Sequence, residues 1–144
     1  MNRESMRTRA PIVGAVLVVF GAYSVLLGLF MLVAPGEFWS TLGAFGPRND
    51  HYIFDNASFE LPLGLLLLAA VRWRSWRVPA LAFATAHWAL HALSHLVDTD
   101  HAKGQTVGWL EFAGLAFGTV VLALACAAAW AGWGWPRSDL DSSR

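Results

Sequence analysis

The chain has 144 residues, one domain's worth, with Lys+Arg and Asp+Glu matched at 10 each. It is 56% hydrophobic and 14% charged, well below the roughly 25% charge of soluble domains, which argues against a water-soluble domain or a disordered chain. Zero formal net charge supplies no basic field for nucleic acid, and one cysteine excludes an intrachain disulfide and a cysteine-rich metal site.

The apolar residues gather in four runs, each near the ~20 residues that cross a hydrocarbon core of about 30 Å. The first, residues 11–34, holds no charge and follows Arg3, Arg7 and Arg9. It is longer than the roughly 7–15 apolar residues of a signal peptide. Val33-Ala34-Pro35 is also a poor cleavage site, so the run reads as a retained transmembrane helix. Gly14, Gly21 and Gly28 recur every seven positions along it, a spacing that lets a neighbouring helix approach closely. The connection that follows carries Phe38, Trp39, Leu42 and Phe45. It is expected either to lie along the membrane interface as a short amphipathic turn or to fold over the bundle as a lid.

The second run, residues 53–71, carries Asp55, Asn56, Glu60 and Pro62 in its first half. Asn56, Glu60 and Gly64 share a helix face. Pro62 cannot donate to the Ser58 carbonyl, which leaves a bare acceptor close to Glu60. The connection Arg72–Arg77 is tight, so the second and third helices are predicted antiparallel neighbours. The third run, residues 78–97, places His87, His91, Ser94, His95 and Asp98 within an arc of about 100°. His87 lies about 12 Å along the axis from His95. Leu81, Ala89, Leu93 and Leu96 form the opposite face. The fourth run, residues 107–130, sets Glu111 on one stripe with Gly114, Gly118 and Leu122, so Glu111 is expected to face the bundle. Cys126 lies deep in this run without a thiol partner and reads as inert core.

The predicted fold is therefore all-α. It is a polytopic integral membrane protein with a four-transmembrane-helix bundle in residues 1–135 and a short disordered cytoplasmic tail, 136–144. Arg3, Arg7, Arg9, Arg72, Arg74, Arg77, Arg137 and Arg144 fall on one side; Arg48 and Lys103 on the other are diluted by Glu37, Asp50, Asp98 and Asp100. The positive-inside rule then puts both termini in the cytoplasm and loops 35–52 and 98–106 outside. Trp73, Trp76, Trp130, Trp133 and Trp135 suit an inner aromatic belt, and Trp39 and Trp109 an outer one.

All five histidines and six acids (Asp50, Asp55, Glu60, Asp98, Asp100, Glu111) belong to the outer half or its loops. An ionisable residue inside a span costs about 2.5–3.5 kcal/mol on insertion scales, so the segregation calls for a reason. Histidines four apart on one helix can ligate one metal, and carboxylates from adjacent helices can complete the shell. The expected ligands are His91, His95, Asp55 and Glu111, with His87 and Glu60 behind them or as alternate ligands. Glu60 and His87 are the expected catalytic residues, Glu60 as general base or proton carrier. Nitrogen and oxygen donors suit a divalent zinc, iron or manganese ion. The chemistry expected is metal-dependent, on a small or lipid-soluble substrate. Two other readings fit the same residues. One is a non-enzymatic site for a cationic or polar ligand, or a proton relay, which in a four-span chain implies a homodimer. The other is a structural subunit of a larger membrane complex.

The segment Asn49-Asp50-His51-Tyr52-Ile53-Phe54-Asp55 and the segment His91-Ala92-Leu93-Ser94-His95-Leu96-Val97-Asp98 resemble small four-helix membrane proteins of actinobacteria, loosely of the DoxX-like type. The resemblance covers roughly residues 40–115. It implies a bacterial plasma-membrane protein associated with redox or quinone-linked systems. Asn49, His51 and Asp55 match the pattern that opens the second helix, and His91, His95 and Asp98 the one that ends the third. Glu60-Leu61-Pro62 and His87 depart from it, and the chain lacks the cysteines that a thiol mechanism requires.

Overall fold

The computed structural model describes residues 3–43, 45–102 and 104–132. The expected tail 136–144, Trp133, Trp135 and Lys103 lie outside these residues. Among the described residues every regular element is helical: α1 (Arg3–Val33), α2 (Pro35–Thr41), α3 (Asp50–Arg72), α4 (Arg77–Val97) and α5 (Gln105–Ala131). Short 3-10 turns, Arg74–Trp76 and Thr99–His101, join α3 to α4 and lead from α4 towards α5.

Three segments are long and apolar enough to cross a membrane: Pro11–Val33, Asp50–Arg72 and Thr106–Ala131. Three of the four expected spans thus meet both length and hydropathy; α4 is long enough, but its three histidines and Arg77 lower its apolar character. Helix α1 also begins earlier than its apolar run, at Arg3, and carries Pro11 inside it.

The bundle is built from two close pairs, α1 with α3 and α4 with α5, and the pairs touch each other less. Glycine sets the first pair. A Cβ on Gly64 would meet the Val25 nitrogen at 2.6 Å and the Gly21 carbonyl oxygen at 2.7 Å, and one on Gly28 would meet the Leu61 nitrogen at 2.9 Å. Backbone atoms cannot move aside as a side chain can, so these glycines permit the contact. Gly14, the third member of the expected stripe, has nothing within 4 Å of that position.

Towards the Arg72–Arg77 end the two pairs meet in a continuous core. Leu17, Leu63, Leu67, Leu81 and Leu122 interlock there with Ala70, Ala80, Ala84 and Ala125. The Arg77 guanidinium closes that end, donating to the carbonyls of Ala70 (3.2 Å) and Val71 (3.1 Å), which a helix C-terminus leaves without intrahelical partners. The Cys126 thiol lies 3.8 Å from the Val78 carbonyl against this core.

Towards the other end the pairs separate. Helix α2 turns back over the gap, with Phe38 and Trp39 packed against a small cluster of Met31, Ile53 and Ala57. Of the two arrangements expected for this connection, the packing of Phe38 and Trp39 on the bundle agrees with the lid. Outside the bundle, large side chains stay exposed on every long helix, among them Leu26, Leu65, Leu90, Phe117 and Leu124. An apolar exterior of this extent is unlike that of a soluble monomer.

Candidate metal centre and cavity

The polar residues converge from three helices onto the space that α2 roofs. Helix α3 starts at Asn49, whose side chain accepts the Tyr52 backbone N–H at 3.2 Å and so caps the helix that carries Glu60. Just before it, Arg48 pairs with both carboxylate oxygens of Asp50, at 2.6 and 2.8 Å. That hydrogen-bonded pairing raises the Arg48 pKa further above its ordinary value.

Glu60 is buried on α3, 6% exposed. Its Oε1 lies 2.8 Å from His87 Nε2 on α4. The His87 ring also packs on Phe59, with centroids 4.6 Å apart. One turn further along α4, His91 brings a third donor. Single ligand atoms of Glu60, His87 and His91 all lie within 4.8 Å of one another. His91 and His95 then face each other with Nε2 atoms 3.1 Å apart, and His95 Nδ1 lies 3.6 Å from Glu111 Oε2 on α5. Phe45, from the connection after α2, sets its ring edge-to-face on His95 at 4.7 Å.

These groups border a cavity of about 510 Å³. Glu60, His91, Ser94, His95, Asp98 and Glu111 line it on the polar side. Tyr23, Leu27, Met31, Phe38, Trp39 and Trp88 line it on the apolar side. Glu60 and His91 reach both the three-donor cluster and the cavity, whereas His87 belongs to the cluster alone. The Trp88 ring fits against α5 because residue 118 is glycine: a Cβ there would overlap the indole. Gly114 lines the cavity, with nothing within 4 Å of where its Cβ would be.

The sequence-predicted residues fall into two groups. Glu60, His87, His91, His95 and Glu111 lie along one connected row. Asp55 stands apart: its side chain is 66% exposed, 3.7 Å from His51 Nε2 one turn away on the same helix, and it does not line the cavity. Among the described residues, the donors close enough to share one ion are Glu60, His87 and His91, that is, His91 of the expected set His91, His95, Asp55 and Glu111 together with the two alternates. His101 pairs with Asp98 at 3.6 Å in an exposed position. Trp88, Leu27 and Met31 were missed as cavity residues, because their apolar character is shared with every core position of the spans.

Comparison with protein-family models, with curated proteins and with solved structures gives no match to this chain.

Proposed function

We propose that the chain is a four-span membrane protein that binds a divalent metal through Glu60, His87 and His91, beside a cavity for a small lipid-soluble substrate. The observation that carries this is the mutual approach of the three donor atoms within 4.8 Å, from two helices, with Glu60 buried and the two histidines partly buried. Two imidazoles and a carboxylate suit zinc, iron or manganese. Three protein ligands leave a coordination position free, as catalytic sites do. Because Glu60 and His91 border the cavity and His87 does not, that position would face the cavity. A substrate there would have Glu60 and His91 on one side and His95 with Glu111 on the other. A metal held by Glu60, His87 and His91 would supply Lewis acidity, while the His95–Glu111 pair can hold or move a proton at the substrate.

Helix α4 is the fourth span in this reading. Its histidines turn towards Glu60 and Glu111, and Phe83, Leu90, Leu93 and Val97 remain exposed for lipid contact. The arginine bias supports cytoplasmic termini and a site opening outward.

The test is elemental mass spectrometry on detergent-purified protein without a histidine tag. About one zinc, iron or manganese per chain is expected. It should be retained in Asp55→Ala and lost in Glu60→Gln, His87→Ala and His91→Ala. Metal-free wild type after reconstitution with each ion, or loss in Asp55→Ala with retention in His87→Ala, overturns the assignment.

A further inference from the structure

The cavity carries charge of one sign. Glu60, Asp98 and Glu111 line it, and no Lys or Arg is among its described lining residues. Arg48, on the same side of the bundle, is held by Asp50 and does not reach the lining. Two buried carboxylate oxygens have no hydrogen-bond partner, Glu60 Oε2 and Glu111 Oε2; the second lies 3.6 Å from His95 Nδ1, beyond hydrogen-bond reach. Glu60 is more than nine-tenths buried. An ionised carboxylate only accepts, so a ligand that matches a vacant oxygen must bring a donor. Leaving one unmatched in a low-dielectric site is unfavourable.

Three further features have the same sign. Asp98 is the C-terminal cap of α4, where the helix dipole is negative and favours a cation. Trp88, Tyr23, Trp39, Phe38 and Phe45 present aromatic rings along the cavity, and the faces of such rings attract organic cations. The volume of about 510 Å³ falls in the range of about 300–1,000 Å³ typical of small-molecule sites.

We infer that the substrate or ligand class is a lipophilic organic cation, an ammonium group on an aromatic or branched apolar body. The ammonium sits between Glu111 and Asp98, and the body lies against Trp88 and the aromatic side chains of the roof. A carboxylate or phosphate ester would meet acids with no basic residue to receive it. This inference deepens the metal reading and rests on it for Glu60: a bound ion engages that carboxylate and leaves Glu111 to the ammonium.

Three probes of one shape separate charge from shape: tryptamine, tryptophol and indole-3-propionate. Their binding is measured by isothermal titration calorimetry on the detergent-purified full chain, with metal content determined on the same sample. Tryptamine is expected to bind at least tenfold more tightly than either of the others. Glu111→Gln is expected to weaken tryptamine at least tenfold and leave tryptophol unchanged. Gly114→Leu places a side chain in the open space of the cavity and is expected to weaken tryptamine and tryptophol alike. Unaltered far-UV circular dichroism and elution volume identify the folded variants. Equal or tighter binding of indole-3-propionate, no binding of any probe, or tryptamine binding indifferent to both substitutions overturns the inference. If the sample holds no metal yet keeps the tryptamine preference and its dependence on Glu111, the metal reading fails and the cation site stands.

Discussion

His87 Nε2 lies 2.8 Å from Glu60 Oε1 across the α3–α4 contact, with 20% and 8% of the two side chains exposed. A buried pair of this kind is far more sensitive to losing one member than to losing both. His87→Ala leaves a buried carboxylate without its partner and should cost about 3–5 kcal/mol. The double change Glu60→Leu with His87→Leu keeps volume and removes both polar groups, and should cost clearly less. Thermal unfolding of metal-free protein in detergent ranks the two. A double variant as unstable as His87→Ala would mean that the pairing is not what the site depends on.

The glycines of α1 and α3 make a second contrast. Gly64→Ala drives a Cβ to within 2.6 Å of the Val25 nitrogen and 2.7 Å of the Gly21 carbonyl oxygen, so the helices must separate. A loss of about 1–3 kcal/mol is expected, the usual cost of overpacking. Gly14→Ala enters open space and should change stability by no more than about 0.5 kcal/mol. The same thermal assay checks both, and equal losses would place the tight α1–α3 contact elsewhere.

The same glycine contact explains which part of the site could be read in advance. Asn56, Glu60 and Gly64 share one stripe, and Gly64 packs on α1, as Leu61 does against Gly28. That contact fixes the rotation of α3 and turns Glu60 inward. Asp55, one residue before Asn56, is rotated by about 100° from the stripe and reaches the exterior instead. A carboxylate on a helix adjacent to the histidines was a candidate ligand, while the rotation of the helix depended on a partner that the sequence does not identify. The histidine row of α4 was legible because four-residue spacing alone puts His87, His91 and His95 on one side. The lid was not. Phe38 and Trp39 are equally suited to a membrane interface, and only their packing on Met31, Ile53 and Ala57 decides the matter.

At the opposite end of the bundle, Arg77 holds two carbonyls of α3 with two different nitrogens, Nε to Ala70 and an amino group to Val71. Charged hydrogen bonds at part-buried carbonyls are worth more than neutral ones. Arg77→Ala should therefore cost about 1–2 kcal/mol. Arg77→Lys should recover only part of that, because an ammonium cannot reproduce the planar fork. Backbone hydrogen exchange over residues 66–72 reads the effect locally. Protection there that is unchanged in Arg77→Ala would rule out a capping role.

Helix α4, the long helix that is not among the three candidate spans, is the decisive one for topology. If α4 crosses the membrane, the turn Arg74–Trp76 and the turn Thr99–His101 lie on opposite sides. If it lies on the surface, both face the same side. The case for crossing is that its polar groups are partnered inward, His87 to Glu60 and His95 near Glu111, while Leu90, Leu93 and Val97 point away from the bundle. Inward pairing reduces the penalty of about 2.5–3.5 kcal/mol that an unpaired charge would incur in a span. Ser75 and Asp100 are both exposed, so each can be changed to cysteine in a Cys126→Ala background. In intact cells a membrane-impermeant maleimide should label Asp100→Cys at once and Ser75→Cys only after permeabilisation. Labelling of both from outside means that α4 does not span. The reversed pattern keeps the span and inverts the bundle, which would open the cavity to the cytoplasm and bring its substrate from that side.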